Sequence, residues 1–304
     1  MNSKFNVFLS DYLRHRGIGK LKKTSDLFPI NNKKEINIFL DNIASFIYRN
    51  DITFSEIIEA ESCIKELEAN NADLKNNNEY KIKFIELKNF IYKFRRNNMV
   101  FVPNSQVTLC DKKENRGCQQ SYNVFIKNFY IDSMPVNVKS FIELCPEFAA
   151  NISEYKFFDE PVRGITWNQA AIYSKKIGKR LPSEFEWYYA SAGPEQNKYF
   201  SGKKLTGCIF NQPKNWIYHR LNTTTYKNFF NIYYMTGLIW EWTDNWYLPY
   251  PKNFKSIKKS GYKCKVTKGG CWSSPESECD NNFRNPVDPN ISDNRIGFRC
   301  AIDV

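Results

Sequence analysis

Apolar residues recur at helical spacing through the first third of the chain. The clearest stripe consists of Ile36, Phe39, Leu40, Ile43, Phe46 and Ile47. This spacing of three and four residues predicts an amphipathic helix. A second helix is predicted over about residues 54–67, and a third carries an apolar face with Phe84, Leu87, Ile91 and Phe94. Residues 1–98 are therefore predicted to form a helical region whose stripes pack on each other or on the rest of the chain.

The pattern changes near Met99, where short alternating runs replace the helical stripes. Phe125 to Ile131 alternates apolar and polar residues and predicts a strand. Residues 165–174 predict a helix that runs towards Gly178, which suits a helix C-terminus. Another helix is predicted to begin at Ser183, a residue type that caps helices well. Residues 99–304 are therefore predicted to be α+β, with short strands and many turns.

Composition fits a globular protein. The chain has 304 residues, of which 42% are hydrophobic and 16% aromatic, so it can build a sizeable core. No apolar run is long enough to cross a bilayer, and an acidic residue, Asp11, interrupts the N-terminal apolar residues before a signal peptide could form. We therefore expect a cytoplasmic protein without a membrane span.

Positive charge concentrates in one segment of a chain whose formal net charge is +12. Seven lysines crowd this stretch: Lys252, Lys255, Lys258, Lys259, Lys263, Lys265 and Lys268. The Lys252–Lys268 segment could meet an anionic partner, or it could be an ordinary solvated loop. No zinc-finger, RNP-like or basic-zipper signature accompanies it.

Nine cysteines are scattered from Cys63 to Cys300. Without a secretion signal we expect reduced thiols. Cys110 and Cys118, or Cys271 and Cys279, are close enough in sequence to form a local pair. Neither pair has the CxxC spacing of a zinc knuckle or a thioredoxin-like site.

Three phrases in the last third of the chain carry a family resemblance. They are GKRLPSEFEW (178–187), MTGLIWEW (235–242), and KGGCW (268–272) followed by IGFRCA (296–301). In this order they resemble the formylglycine-generating-enzyme, or sulfatase-modifying-factor, family over about residues 99–304. Ergothioneine sulfoxide synthases and a pyoverdine-maturation oxidoreductase are relatives within that family. The resemblance implies a C-type-lectin-like domain at 99–304, preceded by the small helical region at 1–98.

The resemblance also implies a copper site, which this sequence departs from. Family enzymes bind copper through two cysteines about five positions apart, because thiolates suit the soft cuprous ion. Here the second position falls on Cys279 and the first on Ser274, whose hydroxyl is a poor ligand for that ion. Cys271 stands where the family usually has a serine and is the alternative thiol. Cys279, Cys271 and Ser274 are thus the catalytic candidates, and copper is not expected.

Calcium and iron are further implications of the resemblance. Family members often bind calcium through an Asn and a Glu of a GNxWEW phrase, but here Leu238 replaces the Asn while Glu241 remains. Glu241 and Asn211 are candidate calcium ligands, and Glu241 could instead accept hydrogen bonds from turn amides. The ergothioneine-type relatives bind iron through histidines, and this chain has only His15 and His219, which are far apart in sequence. Iron-dependent thiol oxygenation is therefore disfavoured.

Two functional hypotheses stay open. The first is a non-catalytic or degenerate family member that acts as a scaffold for binding a protein or peptide partner. Its candidate binding residues are Ser274, Glu276, Arg284 and Asn285, in a loop that resembles the diversified region of retroelement-diversified lectin-fold proteins in length and Asn content. The alternative is a metal-dependent oxidoreductase that modifies a peptide or natural product without the usual two-cysteine copper site. Arg299 is expected to make structural hydrogen bonds in either case.

Overall fold

The computed structural model describes residues 33–49, 54–70, 78–110, 121–151, 155–212, 220–221, 226–250 and 262–304. By its internal contacts the chain divides into two compact units, Met1–Asn97 and Asn98–Val304. Several residues named above lie outside the described residues: His15, Cys118, His219, Lys252, Lys255, Lys258 and Lys259.

The first unit contains three described helices. They are α1 (Lys33–Ile47), α2 (Phe54–Asn70) and α3 (Asn78–Arg95), which confirms the three predicted helices. The apolar stripes face one another and form a shared core that includes Phe39, Ile43, Ile64 and Leu87. Burial of these stripes supplies the stability that short helices lack in isolation.

The second unit contains short strands in three sheets. The strands are β1 (Met99–Val102), β2 (Ser105–Cys110), β3 (Ser121–Ile126), β4 (Phe129–Asp132), β5 (Trp240–Trp246), β6 (Lys265–Lys268), β7 (Asn285–Val287), β8 (Ile296–Gly297) and β9 (Ala301–Asp303). The sheets have the strand orders β1-β4-β9, β2-β3 and β7-β6-β5-β8. The pairings between these strands are antiparallel except that of β5 with β8, which is parallel.

The single strand predicted over Phe125–Ile131 is wrong, because the chain turns in its middle. β3 ends at Ile126 and pairs with β2, whereas β4 begins at Phe129 and pairs with β1 and β9. The amide side chain of Asn128 accepts a hydrogen bond from the Asn104 backbone N–H at 2.7 Å and fixes this turn. An alternating pattern cannot reveal that two successive strands belong to different sheets.

The described part of the second unit also contains three α-helices, α4 (Val138–Leu144), α5 (Trp167–Lys176) and α6 (Glu184–Ala192), and two 3-10 helices, Pro146–Asn151 and Glu276–Cys279. The two predicted helices that precede Gly178 and follow Ser183 are confirmed. Thr166 and Ser183 cap α5 and α6, each in a capping box with the glutamine or glutamate three residues later. Gly178 lies just beyond α5 with φ of 65°, which a glycine adopts without strain.

The described residues contain no helix that is both long and apolar enough to span a membrane. The core of the second unit contains large aromatic side chains, among which Trp187 and Trp242 are fully buried. Because α6 carries Trp187 and β5 carries Trp242, the core joins these two elements.

Candidate functional site: the loop after Gly270

Backbone hydrogen bonds bring the family-like phrases together. The Gly237 N–H donates to the Gly269 carbonyl at 2.8 Å, and the Trp272 N–H donates to the Leu238 carbonyl at 3.0 Å. A Cβ at Gly237 would overlap the carbonyl oxygen of Ile209, so only glycine fits this crossing. The loop that follows Gly270 therefore leaves from a rigid, tightly packed base.

Glu241 lies at the centre of this base and is fully buried. Its carboxylate accepts hydrogen bonds from Trp187 Nε1 at 2.7 Å, from Arg299 Nε at 2.8 Å and from Arg299 Nη2 at 2.8 Å. The Arg299 guanidinium also donates to the backbone carbonyls of Asp132 and Tyr233. The structural role expected of Arg299 is confirmed, and the donors that Glu241 meets are side chains rather than turn amides.

These contacts do not fit a calcium site. Calcium needs several oxygen ligands that are free to coordinate it, and both oxygens of Glu241 already face a guanidinium. Leu238 stands where an oxygen ligand is implied, and it packs in a small apolar cluster with Ile209, Tyr234 and Ile239. The side chain of Asn211 is exposed, and its backbone N–H donates to the Ser274 carbonyl.

Cys271 and Ser274 form a tight turn at the start of the loop. The buried Ser274 hydroxyl accepts the Cys271 backbone N–H at 3.1 Å, and the Ser274 backbone N–H donates to the Cys271 carbonyl at 3.0 Å. The Cys271 Sγ lies 3.4 Å from Ser274 Oγ and 3.3 Å from Ser273 Oγ. Ser274 is thus committed to holding the turn.

Cys279 lies in the middle of the loop, against Gly270. A Cβ on Gly270 would lie 2.9 Å from Cys279 Sγ, so the absence of a side chain at Gly270 makes room for the thiol. Burial raises the pKa of Cys279, and the nearby Cys208 and Cys271 raise it further. Burial also raises the pKa of Cys208 to about 12, with a smaller contribution from Glu276. Both groups are neutral thiols near neutral pH.

The donor set at the family's two copper positions does not fit copper. One position is a hydroxyl already used within its turn, so the two positions that the family resemblance assigns to copper offer only one thiol. Cuprous ion prefers thiolates. Among the described residues, no group of three or more His, Cys, Asp or Glu side chains could hold a metal ion.

Arg284, a candidate binding residue, lies in the interior. Its Nε and Nη2 donate to the Glu184 carboxylate at 2.6 and 2.9 Å, and its Nη1 donates to the Leu248 carbonyl at 2.9 Å. The rings of Tyr247 and Tyr250 lie within 4.7 and 4.2 Å of its guanidinium carbon. This buried ion pair fixes the end of the loop to the start of α6.

Of the other candidate binding residues, Asn285 is partly buried and Glu276 is exposed. Asn285 is half-buried on β7 and donates to Thr267 Oγ1 at 3.0 Å, which makes it an anchor. Glu276 is exposed and accepts a hydrogen bond from Tyr199 Oη at 2.8 Å. Ser273, Pro275, Glu276 and Ser277 are exposed together, and we call residues 273–277 the recognition tip.

Two lysines of the basic segment are buried, a placement that the sequence did not reveal. Lys265 Nζ lies 3.9 Å from the ring centroid of Trp167 and 4.2 Å from that of Trp246. Lys268 Nζ donates to the carbonyls of Asn281 and Phe283 at 2.6 and 2.7 Å. Lys268 thereby holds the second half of the loop. An anionic partner for the Lys252–Lys268 segment stays a prediction, although Lys265 and Lys268 are buried.

Several sequence relatives match part of the chain. The chain is 32% identical over 172 residues to the formylglycine-generating enzyme of Bos taurus, covering 48% of this chain and 44% of that protein. It is 24% identical over 242 residues to the serine/threonine-protein kinase pkn1 of Chlamydia caviae, covering 67% of this chain and 37% of that protein. A mouse protein named inactive C-alpha-formylglycine-generating enzyme 2 is 26% identical over 163 residues, covering 46% of this chain and 48% of that protein. The chain therefore spans about half or less of the length of these relatives.

Solved structures confirm the fold of the second unit. A Treponema denticola variable protein 1 matches with a TM-score of 0.58 and 15% identity, over 68% of this chain and 95% of that one. PvdO from Pseudomonas aeruginosa matches with a TM-score of 0.52 and 18% identity, over 68% of this chain and 94% of that one. The predicted α+β, C-type-lectin-like fold is confirmed. The model of the Sulfatase-modifying factor enzyme 1-like domain matches residues 88–304, and the chain belongs to this FGE-sulfatase family.

Proposed function

We propose that this chain is a non-catalytic member of the FGE-sulfatase family that binds a protein or peptide partner through its recognition tip. The observation that carries the proposal is the state of Ser274. A hydroxyl replaces the first thiol of the family's copper pair, and it is buried in a hydrogen bond to the Cys271 backbone N–H. Without two thiolates, the soft-ligand environment that holds cuprous ion is lost.

The loop has a fixed base and an exposed tip, and this arrangement supports a role in binding a partner. Its base is fixed by Lys268, by the Arg284–Glu184 ion pair and by Asn281, whose side chain bonds Ser191 and the Asn197 carbonyl. Its tip presents polar side chains to solvent. A rigid base with an exposed polar tip lowers the entropy lost when a partner binds. We also propose a cytoplasmic location, which the seven cysteines described as free thiols support.

Peptide display with a matched counter-selection tests the binding proposal. The full chain is panned against a random peptide library and counter-selected with a variant carrying Ser273→Ala, Glu276→Ala and Ser277→Ala. The side chains removed are exposed, and the variant loses only the Tyr199–Glu276 hydrogen bond and the Ser273–Cys271 contact, so its unfolding temperature should fall by no more than a few degrees. We expect peptides that bind the wild type at least tenfold more tightly. Peptides that bind both proteins equally well contradict a role for the tip.

One observation favours the alternative of a metal-dependent oxidoreductase. The Cys271 Sγ lies 3.4 Å from Ser274 Oγ, so a sulfur atom stands beside the missing ligand position. Oxygen consumption by the full chain, supplied with cuprous ion and a cysteine-containing peptide, distinguishes the two functions. If the chain is a binding protein, the wild type should consume oxygen no faster than the Cys279→Ala variant. Faster consumption by the wild type that Cys271→Ser and Cys279→Ala each abolish supports the oxidoreductase.

A further inference from the structure

Two adjacent phenylalanines are exposed on one loop of the second unit. Phe158 is 70% exposed and Phe157 is 44% exposed. A single exposed apolar residue is common on a protein surface, but two neighbouring rings form a patch whose contact with water is unfavourable. We call residues 155–160 the Phe157–Phe158 loop.

The backbone of this loop is fixed on both sides of the rings. The buried Glu160 carboxylate accepts the backbone N–H groups of Lys156 and Phe157 at 3.0 and 2.9 Å. The Lys139 backbone N–H, in the first turn of α4, donates to the Phe158 carbonyl at 2.9 Å. These hydrogen bonds hold the two rings in their exposed positions, so little conformational entropy is lost when the rings meet a partner.

Positive charge lies beside the rings. Lys156 directly precedes them in the chain, and Lys139 is joined to them by its backbone hydrogen bond; both lysine side chains are exposed. The Arg220 guanidinium carbon lies 4.9 Å from the centre of the first ring. The acids of the loop do not cancel the lysine charges, because Asp159 pairs with Arg220 and Glu160 is buried. The loop therefore combines an apolar tip with a positively charged margin.

We propose that the Phe157–Phe158 loop binds the surface of a membrane that contains anionic lipids. The two rings enter the boundary between headgroups and acyl chains, while the lysines stay among the anionic headgroups. A bilayer receives exposed rings without a complementary pocket, and its negative charge complements the adjacent lysines. Anionic lipids are abundant in the cytoplasmic leaflet, which agrees with the cytoplasmic location proposed above.

Co-flotation of the full chain with lipid vesicles tests the proposal. One set of vesicles is phosphatidylcholine alone, and the other contains phosphatidylcholine and phosphatidylserine in equal amounts. We expect the anionic vesicles to bind the chain at least about tenfold more tightly than the neutral vesicles do, because each lysine near the surface is attracted to it. Added salt should weaken the binding, because salt screens this attraction.

Phe158→Ser and Phe125→Ser form a matched pair of variants, because Phe125 is 67% exposed on β3, outside the loop. Phe158→Ser should weaken vesicle binding about tenfold, since one ring is no longer transferred out of water. Phe125→Ser should leave the binding unchanged. Both variants change exposed side chains and should unfold at the wild-type midpoint in urea, which excludes misfolding as the cause. Lys156→Glu should weaken binding to the anionic vesicles only.

Two results overturn the proposal in the vesicle assay: no binding to the anionic vesicles, or equal binding by Phe158→Ser and Phe125→Ser. Light scattering without lipid tests another occupant. A dimer that Phe158→Ser dissociates would assign the loop to a second copy of the chain and would also overturn the proposal. The variant that changes the recognition tip should bind vesicles as the wild type does, so failure of one proposal is distinguishable from failure of the other.

Discussion

Removal of the Glu241 carboxylate should destabilise the second unit severely. In Glu241→Ala the Arg299 guanidinium stays buried without its counter-charge, and Trp187 Nε1 loses its acceptor. Breaking a buried ion pair by removing one partner costs about 3–5 kcal/mol. The unsatisfied indole N–H adds about 1–3 kcal/mol. These losses overlap, so we expect a total of about 4–6 kcal/mol out of a typical stability of about 5–15 kcal/mol.

The matched control is an exposed pair in the same unit. Asp159 and Arg220 form a bidentate ion pair whose side chains are 35% and 48% exposed. Asp159→Ala should therefore cost at most about 1 kcal/mol. Both pairs join a carboxylate to a guanidinium and differ mainly in burial. The difference between their losses of unfolding free energy therefore measures the effect of burial.

Urea unfolding of the full chain, followed by tryptophan fluorescence, measures both changes. With a slope of about 2–3 kcal/mol per molar urea, the Glu241→Ala midpoint should fall by about 1.5–3 M and the Asp159→Ala midpoint by less than about 0.5 M. Calcium or a calcium chelator should leave the wild-type midpoint unchanged. Equal midpoints for the two variants would refute the buried-pair argument. A chelator-induced fall of the wild-type midpoint would show that a bound calcium ion stabilises the chain, contrary to the account.

Three further predictions use the same unfolding assay. Ser183→Ala removes the cap of α6 and should cost about 1 kcal/mol, so an unchanged midpoint would show that the cap is dispensable. Gly237→Ala should prevent stable folding because its Cβ meets the Ile209 carbonyl, whereas Gly207→Ala, with open space around it, should cost only about 1–2 kcal/mol for its positive φ. Burial lowers the pKa of Lys268 to about 7, while an unfolded lysine titrates near about 10.4. Between about pH 7 and about pH 10.4 the unfolded state therefore binds more protons than the folded state. The unfolding free energy of the wild type, relative to that of Lys268→Met, should rise from pH 7 to pH 9. A constant difference between the two proteins would contradict the lowered pKa.

Local features were predictable from the sequence because their signals lie within a few residues. Ser183 and Gly178 mark helix ends through chemistry that acts over one turn. The substitution of Ser274 for a cysteine is likewise visible in the family-like phrase. The second unit therefore followed from its motifs, while the turn that divides Phe125 from Phe129 depends on sheet pairings that the alternation does not record.

Long-range partners could not be predicted from spacing. Arg284 was a candidate for contact with a partner, but it pairs with Glu184, 100 residues away, and lies inside the protein. Lys265 and Lys268 belong to a lysine-rich segment, and such a segment predicts a solvent-exposed loop. They are buried because β6 lies between β5 and β7 in its sheet. Only the fold reveals the aromatic rings and carbonyls that receive their ammonium groups.

The stoichiometry of cuprous ion binding tests the central claim most directly. The reduced full chain is titrated anaerobically against a chromogenic copper(I) chelator, and bound copper is counted by mass spectrometry beside Ser274→Cys and Cys271→Ser. Because Ser274 replaces a thiol ligand, we expect far less than one copper ion per wild-type chain. Ser274→Cys restores the second thiol and should raise the number of copper ions bound per chain. One copper per wild-type chain that Cys271→Ser abolishes would contradict the claim and restore metal chemistry to this loop.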